Sequence, residues 1–258
     1  MKKIFLLPML TLALVLAACS QSPKPAATAQ PASTPDTAEK PAAGKDAAPR
    51  SQKRIHVPLA AEFSNIISIG TVNIDYTQGD TYAIDLEGDS ALLSHVGVDI
   101  ESGVLTLKIN ADSNKDINIY ESNYGLKAYI TTPGLRCVSL CESGNFTCTG
   151  RWAVPDIHIG CMSTGRFDVN EIECETFKYE SSDLDRSVFH NIKARTASIF
   201  GYRRCHGTFN VDVDRLEVIC DGLSNMTLTG QARTKAIEKH GRAVLNEDGL
   251  KTQENRPE

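Results

Sequence analysis

The chain has 258 residues, a formal net charge of −5 and 6% aromatic residues. The acidic balance and the lack of clustered lysine and arginine exclude a nucleic-acid-binding surface, because such a surface needs concentrated positive charge. After the first 53 residues, enough chain remains to bury the core of one large domain.

The N-terminus has the pattern of an exported bacterial lipoprotein. Two lysines precede an apolar run from Ile4 to Ala17, which is too short for an ordinary membrane span. The run ends in Leu16-Ala17-Ala18-Cys19, which resembles a lipobox. The resemblance implies a signal peptide over 1–18, cleavage before Cys19, and a lipid with acyl chains such as palmitate on its sulfur. The alternative is a plain secretory peptide followed by a chance cysteine.

The residues after the cysteine predict a location and a tether. Ser20 stands where an inner-membrane retention signal would have Asp, which in a Gram-negative cell favours the outer membrane, at its periplasmic face or at the cell surface. Residues 20–53 contain nine Ala and six Pro, so the segment 19–53 is predicted to be a disordered, Ala/Pro-rich tether. Partners would include the membrane, through the lipid anchor.

The folded part begins with a section rich in β-hairpins. Alternating apolar residues on either side of Gln78-Gly79-Asp80 predict one hairpin. Val96–Ile100 and Leu105–Ile109 predict a second hairpin around Ser102-Gly103. Between them, Ser90–Leu93 is the only stretch that suggests a turn of helix.

From Leu135 to Gly230 a short phrase recurs before an apolar anchor, as in Thr164-Gly165-Arg166-Phe167. The anchors Phe146, Phe167, Phe189, Phe209 and Met226 lie 21, 22, 20 and 17 residues apart. Each is preceded by a short β-prone run. Stacked β-turns of about 20 residues bury together an apolar side that none of them buries alone. The sequence therefore predicts an all-β chain, a right-handed β-helix or β-solenoid, with the hairpin-rich N-terminal section capping one end.

The folded part of the sequence resembles the autotransporter adhesin head GIN domain family. The resemblance rests on the order of several short phrases from about Phe63 to about Leu245. They are Phe63-x-x-Ile66, Val72-x-Ile74, Gln78-Gly79-Asp80, Tyr82-x-Ile84, Leu92-Leu93-x-x-Val96-x-Val98, Gly103-x-Leu105-x-Leu107, Tyr129-Ile130-x-x-Pro133-x-Leu135-x-x-Val138-x-Leu140 and Ser143-Gly144. The resemblance implies a β-solenoid on an exported, often lipid-anchored protein, without catalytic residues. We assign it to 54–246 and expect a flexible tail over 247–258.

Seven cysteines remain without Cys19, and disulfides are permitted beyond the inner membrane. Cys141 and Cys161 are 20 residues apart, about one turn of the coil, so they are a candidate disulfide pair. The alternative is that they are reduced, buried core residues. No tight set of four cysteine and histidine ligands predicts a metal site, and no cofactor motif is present.

An enzymatic alternative comes from the architecture, because β-helices also host polysaccharide lyases and glycosidases. Such enzymes need carboxylates clustered on a solvent face, often with a nearby Arg or Lys. Two clusters fit this description: Asp183 and Asp185 with Arg186, and Asp212 and Asp214 with Arg215. The simpler interpretation is a charged face that keeps the solenoid soluble. No nucleophilic triad is predicted.

The sequence thus favours a lipid-anchored envelope or cell-surface protein, with a non-enzymatic, adhesin-like solenoid that binds an envelope protein or a glycan. A carbohydrate-active β-helix enzyme is the alternative. A third class is a periplasmic regulator or assembly factor.

Overall fold

The structure is a computed structural model that describes residues 52–110 and 125–252. The predicted signal peptide, Cys19 and nearly all of the predicted tether lie outside these ranges. The described residues belong to one compact unit, Pro49–Glu258, which has its own continuous hydrophobic core.

The described chain consists of β-strands and one helical turn. Their bounds are β1 Gln52–His56, β2 Asn65–Ile69, β3 Asn73–Gln78, β4 Ala83–Asp89, α1 Ser90–Leu93, β5 Val96–Glu101, β6 Val104–Ile109, β7 Lys127–Thr132, β8 Cys137–Leu140, β9 Asn145–Ala153, β10 Asp156–Cys161, β11 Arg166–Ser181, β12 Arg186–Gly201, β13 His206–Cys220, β14 Asn225–Lys239 and β15 Val244–Thr252. The predicted helical turn at Ser90–Leu93 is confirmed.

The strands stack as a parallel β-solenoid, which confirms the predicted fold class. One ladder contains β3, β9, the first halves of β11 to β14, and β15. A second ladder contains β2, β8, β10 and the second halves of β11 to β14. Each turn of the coil crosses from one ladder to the other. Neighbouring turns are joined by backbone hydrogen bonds in both ladders and lie about 4.8 Å apart.

The N-terminal section caps the solenoid, as predicted, but with different pairing. The hairpin β5–β6 is confirmed, and its turn has left-handed backbone at Ser102 (φ 52°) and Gly103 (φ 77°). The hairpin predicted between β3 and β4 is wrong, because β7 lies between these strands and pairs with both. The strand that fills this place comes about 50 residues later in the sequence. Antiparallel β4 and β5 then cover the end of the two ladders, and β1 pairs with β4.

Six corners of four residues connect successive turns in register. They are 141–144, 162–165, 182–185, 202–205, 221–224 and 240–243. Backbone hydrogen bonds join the corners, such as the bond from the Tyr202 amide to the Ser181 carbonyl (2.9 Å). The fourth residue of each corner is directed inward, and at Asp185, Cys205 and Ser224 it is at most 1% exposed.

The predicted aromatic anchors are buried in the interior, but they occupy two columns rather than one. Phe146 and Phe167 pair in the first column, and Phe189 and Phe209 pair two residues further along the turn. In the turns that contain Phe189 and Phe209, the first column holds Ser187 and Gly207. These small residues leave room for the shifted rings. The rings stay in contact across the shift, since the Phe167 and Phe189 centroids are 6.4 Å apart.

The last turn extends past the boundary predicted at residue 246. Strand β15 pairs in parallel with β14, and this pairing continues to Thr252. Leu245 and Leu250 pack against the core from this strand.

Candidate functional site

A highly charged outer surface lies where β11 to β14 run side by side. Two rows of side chains cross these strands in register: Glu173, Lys193, Asp212 and Gln231 form the first, and Glu175, Arg195, Asp214 and Arg233 form the second. All of them except Glu175 border a shallow depression of about 500 Å³. We call this surface the charged face.

Charges of opposite sign alternate along the second row of the charged face and pair with each other. Arg195 Nε donates a hydrogen bond of 2.9 Å to Glu175 Oε2, and Arg233 Nε lies 3.5 Å from Asp214 Oδ1. In the first row, Gln231 Nε2 donates a bond of 2.7 Å to Asp212 Oδ1. Opposite charges on neighbouring strands favour this pairing, although each exposed pair contributes only about 0–1 kcal/mol.

Asp212 and Asp214 share an outward face, because they alternate along β13 with the buried Val211 and Val213. Their positions on one strand put them about 7 Å apart, a separation that a glycosidase could use. A general acid also has to be secluded from water, so that its pKa is raised and it holds a proton to donate. The side chain of Asp214 is 55% exposed and both acids already have a side-chain partner. The geometry therefore favours a charged, solvated face over an acid–base pair.

The other predicted pair, Asp183 and Asp185, is wrong as a surface site. Asp183 is the second residue of its corner and lies 3.7 Å from the Arg204 guanidinium. Asp185 is the fourth residue and is completely buried. Since the fourth corner position is directed into the solenoid, the two carboxylates do not share a solvent face.

Asp185 is instead the centre of a buried polar cluster. Its Oδ2 accepts hydrogen bonds from the Tyr179 hydroxyl and from Ser187 Oγ (2.9 Å). Burial raises the pKa of the Asp185 carboxyl and also that of the Tyr179 hydroxyl, because the charged forms lose their hydration. The sequence contains a sign of this cluster: the fourth corner residue is Gly144 and then Gly165 in the two preceding turns, and it becomes Asp185.

The two cysteines of the predicted disulfide lie in neighbouring turns but not in direct register. Strand pairing sets Cys161 beside Leu140, so Cys141 aligns with Met162. Cys161 is a buried thiol in the structure, and burial raises its pKa to about 12. The Cys141–Cys161 bond therefore stays a prediction for the oxidised protein.

The single tryptophan of the chain has a structural position. Trp152 is completely buried and its Nε1 donates a 2.7 Å hydrogen bond to the Leu135 carbonyl, so it is a core residue. In the part of the chain that the structure describes, no three His, Cys, Asp or Glu side chains converge as they would around a metal ion. Across 52–110 and 125–252 there is also no helix with the length and apolar character to span a membrane.

The stacked turns, the capped N-terminal end and the paired outer charges define a β-solenoid domain. Residues 62–184 match the family described as "Putative auto-transporter adhesin, head GIN domain". The predicted resemblance to this family is thereby confirmed over these residues. The structure continues the same coil beyond the matched residues, through three further corners.

Two solved structures have a similar fold. One is a "putative adhesin" from Bacteroides fragilis, with a TM-score of 0.56 and 16% identity over 76% of this chain and 96% of that chain. The other is a "putative adhesin" from Parabacteroides merdae, with a TM-score of 0.55 and 17% identity over 76% of this chain and 95% of that chain. Comparison with curated protein sequences gives no significant match. At these identities the likeness shows the fold alone.

Proposed function

We propose that this chain is a lipid-anchored protein of the bacterial envelope or cell surface, and that its solenoid is a non-enzymatic, adhesin-like binding surface. The family match and the adhesin names of the two similar structures support the adhesin-like role. The sequence pattern that ends in Cys19 supports the anchor, on the outer membrane, at its periplasmic face or at the cell surface. A glycan or an envelope protein is the expected ligand.

One observation carries the non-enzymatic part of the proposal. The carboxylates that could have formed a catalytic pair are either buried in the interior, as is Asp185, or engaged by neighbouring side chains on an exposed face, as are Asp212 and Asp214. A surface of this kind offers many hydrogen-bonding and ionic groups to a ligand without a secluded proton donor.

The anchor is tested in whole cells with the full chain. The Cys19→Ser variant should lose acyl labelling and leave the membrane fraction, because the predicted lipid attaches to that sulfur. Cys174→Ser, which removes a half-exposed thiol of the solenoid, is the matched control and should keep both properties. Unchanged fractionation of Cys19→Ser would refute the anchor.

The binding role is tested with polysaccharides and envelope extracts. The protein should release no reducing ends or unsaturated products from a polysaccharide panel, and it should retain a glycan or an envelope protein from the extract. Product release that disappears in Asp212→Asn would show an enzyme and overturn the non-enzymatic proposal.

A further inference from the structure

A second surface lies along the corners of the last four turns. The third corner position holds Leu184, Arg204, Leu223 and Arg242 in successive turns, about 4.8 Å apart. Tyr202 and Arg203 stand beside this column, in the same corner as Arg204. All six side chains are exposed, and we call them the corner ridge.

Exposed apolar side chains concentrate on the corner ridge. Among the described residues, four large hydrophobic side chains are exposed, and three of them are Leu184 (41%), Tyr202 (38%) and Leu223 (53%). The fourth, Val244, belongs to β15 at the C-terminal edge of the coil (56%). Single exposed apolar residues are common, but here three of them stand on the corners of three successive turns, with Arg204 between the two leucines.

The ridge also carries an excess of positive charge on an acidic chain. The same four corners hold two acids that reach the surface, Asp183 and Asp221, and Glu180 of β11 lies near Tyr202 but is paired with Lys178. Asp183 lies 3.7 Å from Arg204, while Asp221 accepts a 2.6 Å hydrogen bond from the Gly222 amide. Within the described ranges, Arg203 and Arg242 make no ion pair. Two guanidinium groups are therefore available to an outside anion.

The backbone at Arg203 is an independent observation on this corner. Arg203 has left-handed backbone (φ 61°), and the equivalent residues of the next two turns are Gly222 (φ 73°) and Gly241 (φ 67°). Glycine adopts this conformation without penalty, whereas a side chain disfavours it. A residue held in such a conformation, where glycine would fit, points to a role for its side chain.

From these observations we propose that the corner ridge docks on an anionic lipid surface. The leucine and tyrosine side chains would enter the headgroup boundary, and the arginines would bind lipid phosphates. A corner of a solenoid is convex, so it meets a flat surface along its length. The inference rests on the proposed envelope location, and it adds a contact through the folded domain to the contact through Cys19.

The experiment uses the fragment 49–258, because this unit has its own core and lacks the predicted anchor. It is mixed with vesicles of phosphatidylcholine, with or without about one third phosphatidylglycerol, and binding is measured by co-sedimentation. We expect binding to the anionic vesicles, with weakening as salt rises. Arg204→Gln and Arg242→Gln should each weaken binding about fivefold. Leu223→Ser should weaken it further.

Matched controls separate the ridge from general charge and hydrophobicity. Val244→Ser removes an equally exposed apolar side chain from β15, just outside the ridge, and Arg233→Gln removes an arginine of the charged face. Both should bind as the unaltered fragment does. Arg203→Gly should weaken binding while raising the melting temperature, since it relieves the left-handed backbone.

Two results would overturn the proposal. One is equal or absent binding to both kinds of vesicle, which would also be the outcome if the ridge contacts a protein instead. The other is equal weakening by the ridge variants and by the two controls. Neither result affects the test of the anchor with Cys19→Ser in the full chain, so failure of this inference is distinguishable from failure of the proposed function.

Discussion

Replacement of Phe189 by alanine probes the interior of the solenoid at its most aromatic point. Phe189 is 1% exposed, and its ring contacts four others, Phe167, Phe177, Tyr179 and Phe209, at centroid distances of 5.2–6.4 Å. Phe to Ala changes in a core cost about 3–5 kcal/mol, from lost burial and from the cavity left behind. Because each aromatic contact adds about 0.5–1.5 kcal/mol beyond burial, we expect the upper end of this range.

The matched control is Phe200→Ala on the same strand. Phe200 is directed outward, and among the described ring and cation contacts its partner is Lys178, whose Nζ lies 5.8 Å from the ring centroid. We expect Phe200→Ala to cost about 1 kcal/mol or less.

Both variants are measured in the fragment 49–258 by urea unfolding, followed by the fluorescence of Trp152. This residue is the only tryptophan and is completely buried, so unfolding changes its environment. Equal losses in the two phenylalanine variants, within about 0.5 kcal/mol, would refute the assignment of Phe189 to the interior and Phe200 to the exterior.

Three further predictions concern the buried cluster, a tight turn contact and the thiols. Because burial raises the pKa of Asp185, the folded state holds its proton more tightly than the unfolded state, and unaltered protein should lose stability relative to Asp185→Asn as the pH rises from about 4 to 7. Gly230→Ala should destabilise by about 3 kcal/mol in urea, since φ is +94° and a new Cβ would lie 2.1 Å from the Val211 carbonyl oxygen. At pH 8 Cys161, with its pKa of about 12, should react with a thiol reagent only after unfolding, and peptide mapping of the labelled protein reads this out.

Each of these has a contrary outcome. A stability difference between unaltered protein and Asp185→Asn that stays constant with pH would mean that the carboxyl is not desolvated. An unchanged urea midpoint for Gly230→Ala would contradict the close approach of its turn to Val211. If denatured, unreduced protein leaves Cys141 and Cys161 unlabelled until reductant is added, the predicted disulfide exists and the thiol assignment of Cys161 is wrong.

Much of the interior could be predicted from the sequence because it depends on local alternation. The apolar positions of short strands, such as Ile157 and Ile159, are buried as their spacing required. The turn at Ser102-Gly103 was predictable because its chemistry is contained in two residues. The insertion of β7 between β3 and β4 was not, because no local signal tells a strand which distant strand will occupy its edge.

The candidate site was only partly predictable, for a related reason. Alternation with buried valines placed Asp212 outward, and the structure agrees. The prediction put Asp185 on the solvent face, but inward and outward positions do not alternate in a corner as they do in a strand. The fourth corner residue is directed into the interior whatever its polarity. The partners that engage Asp212 and Asp214 come from the following turn of the coil, as Gln231 and Arg233 do, and are visible only once the register is known.

The spacing of the apolar anchors is irregular because the anchor side chain changes its position within the turn, while the length of the backbone turn stays nearly constant. Between successive corners, the turns are 21, 20, 20, 19 and 19 residues long, which is more regular than the anchor spacings of 21, 22, 20 and 17. From Phe167 to Phe189 the anchor moves from the first inward column to the second, so two residues are added to a turn of 20. From Phe209 to Met226 it moves back, so two are subtracted from a turn of 19.

The corners have a constant length, whereas the positions of the aromatic rings in the interior vary from turn to turn. Inward and outward positions of the coil therefore meet different packing requirements. The interior tolerates a change of column because Ser187 and Gly207 are small where the rings shift. The third corner position has no such packing requirement, since it points to solvent in every turn and the register alone fixes its spacing. Its change from Ser143 and Thr164 in the earlier turns to leucine and arginine in the last four is therefore not explained by the core. An external contact along the corner ridge accounts for it.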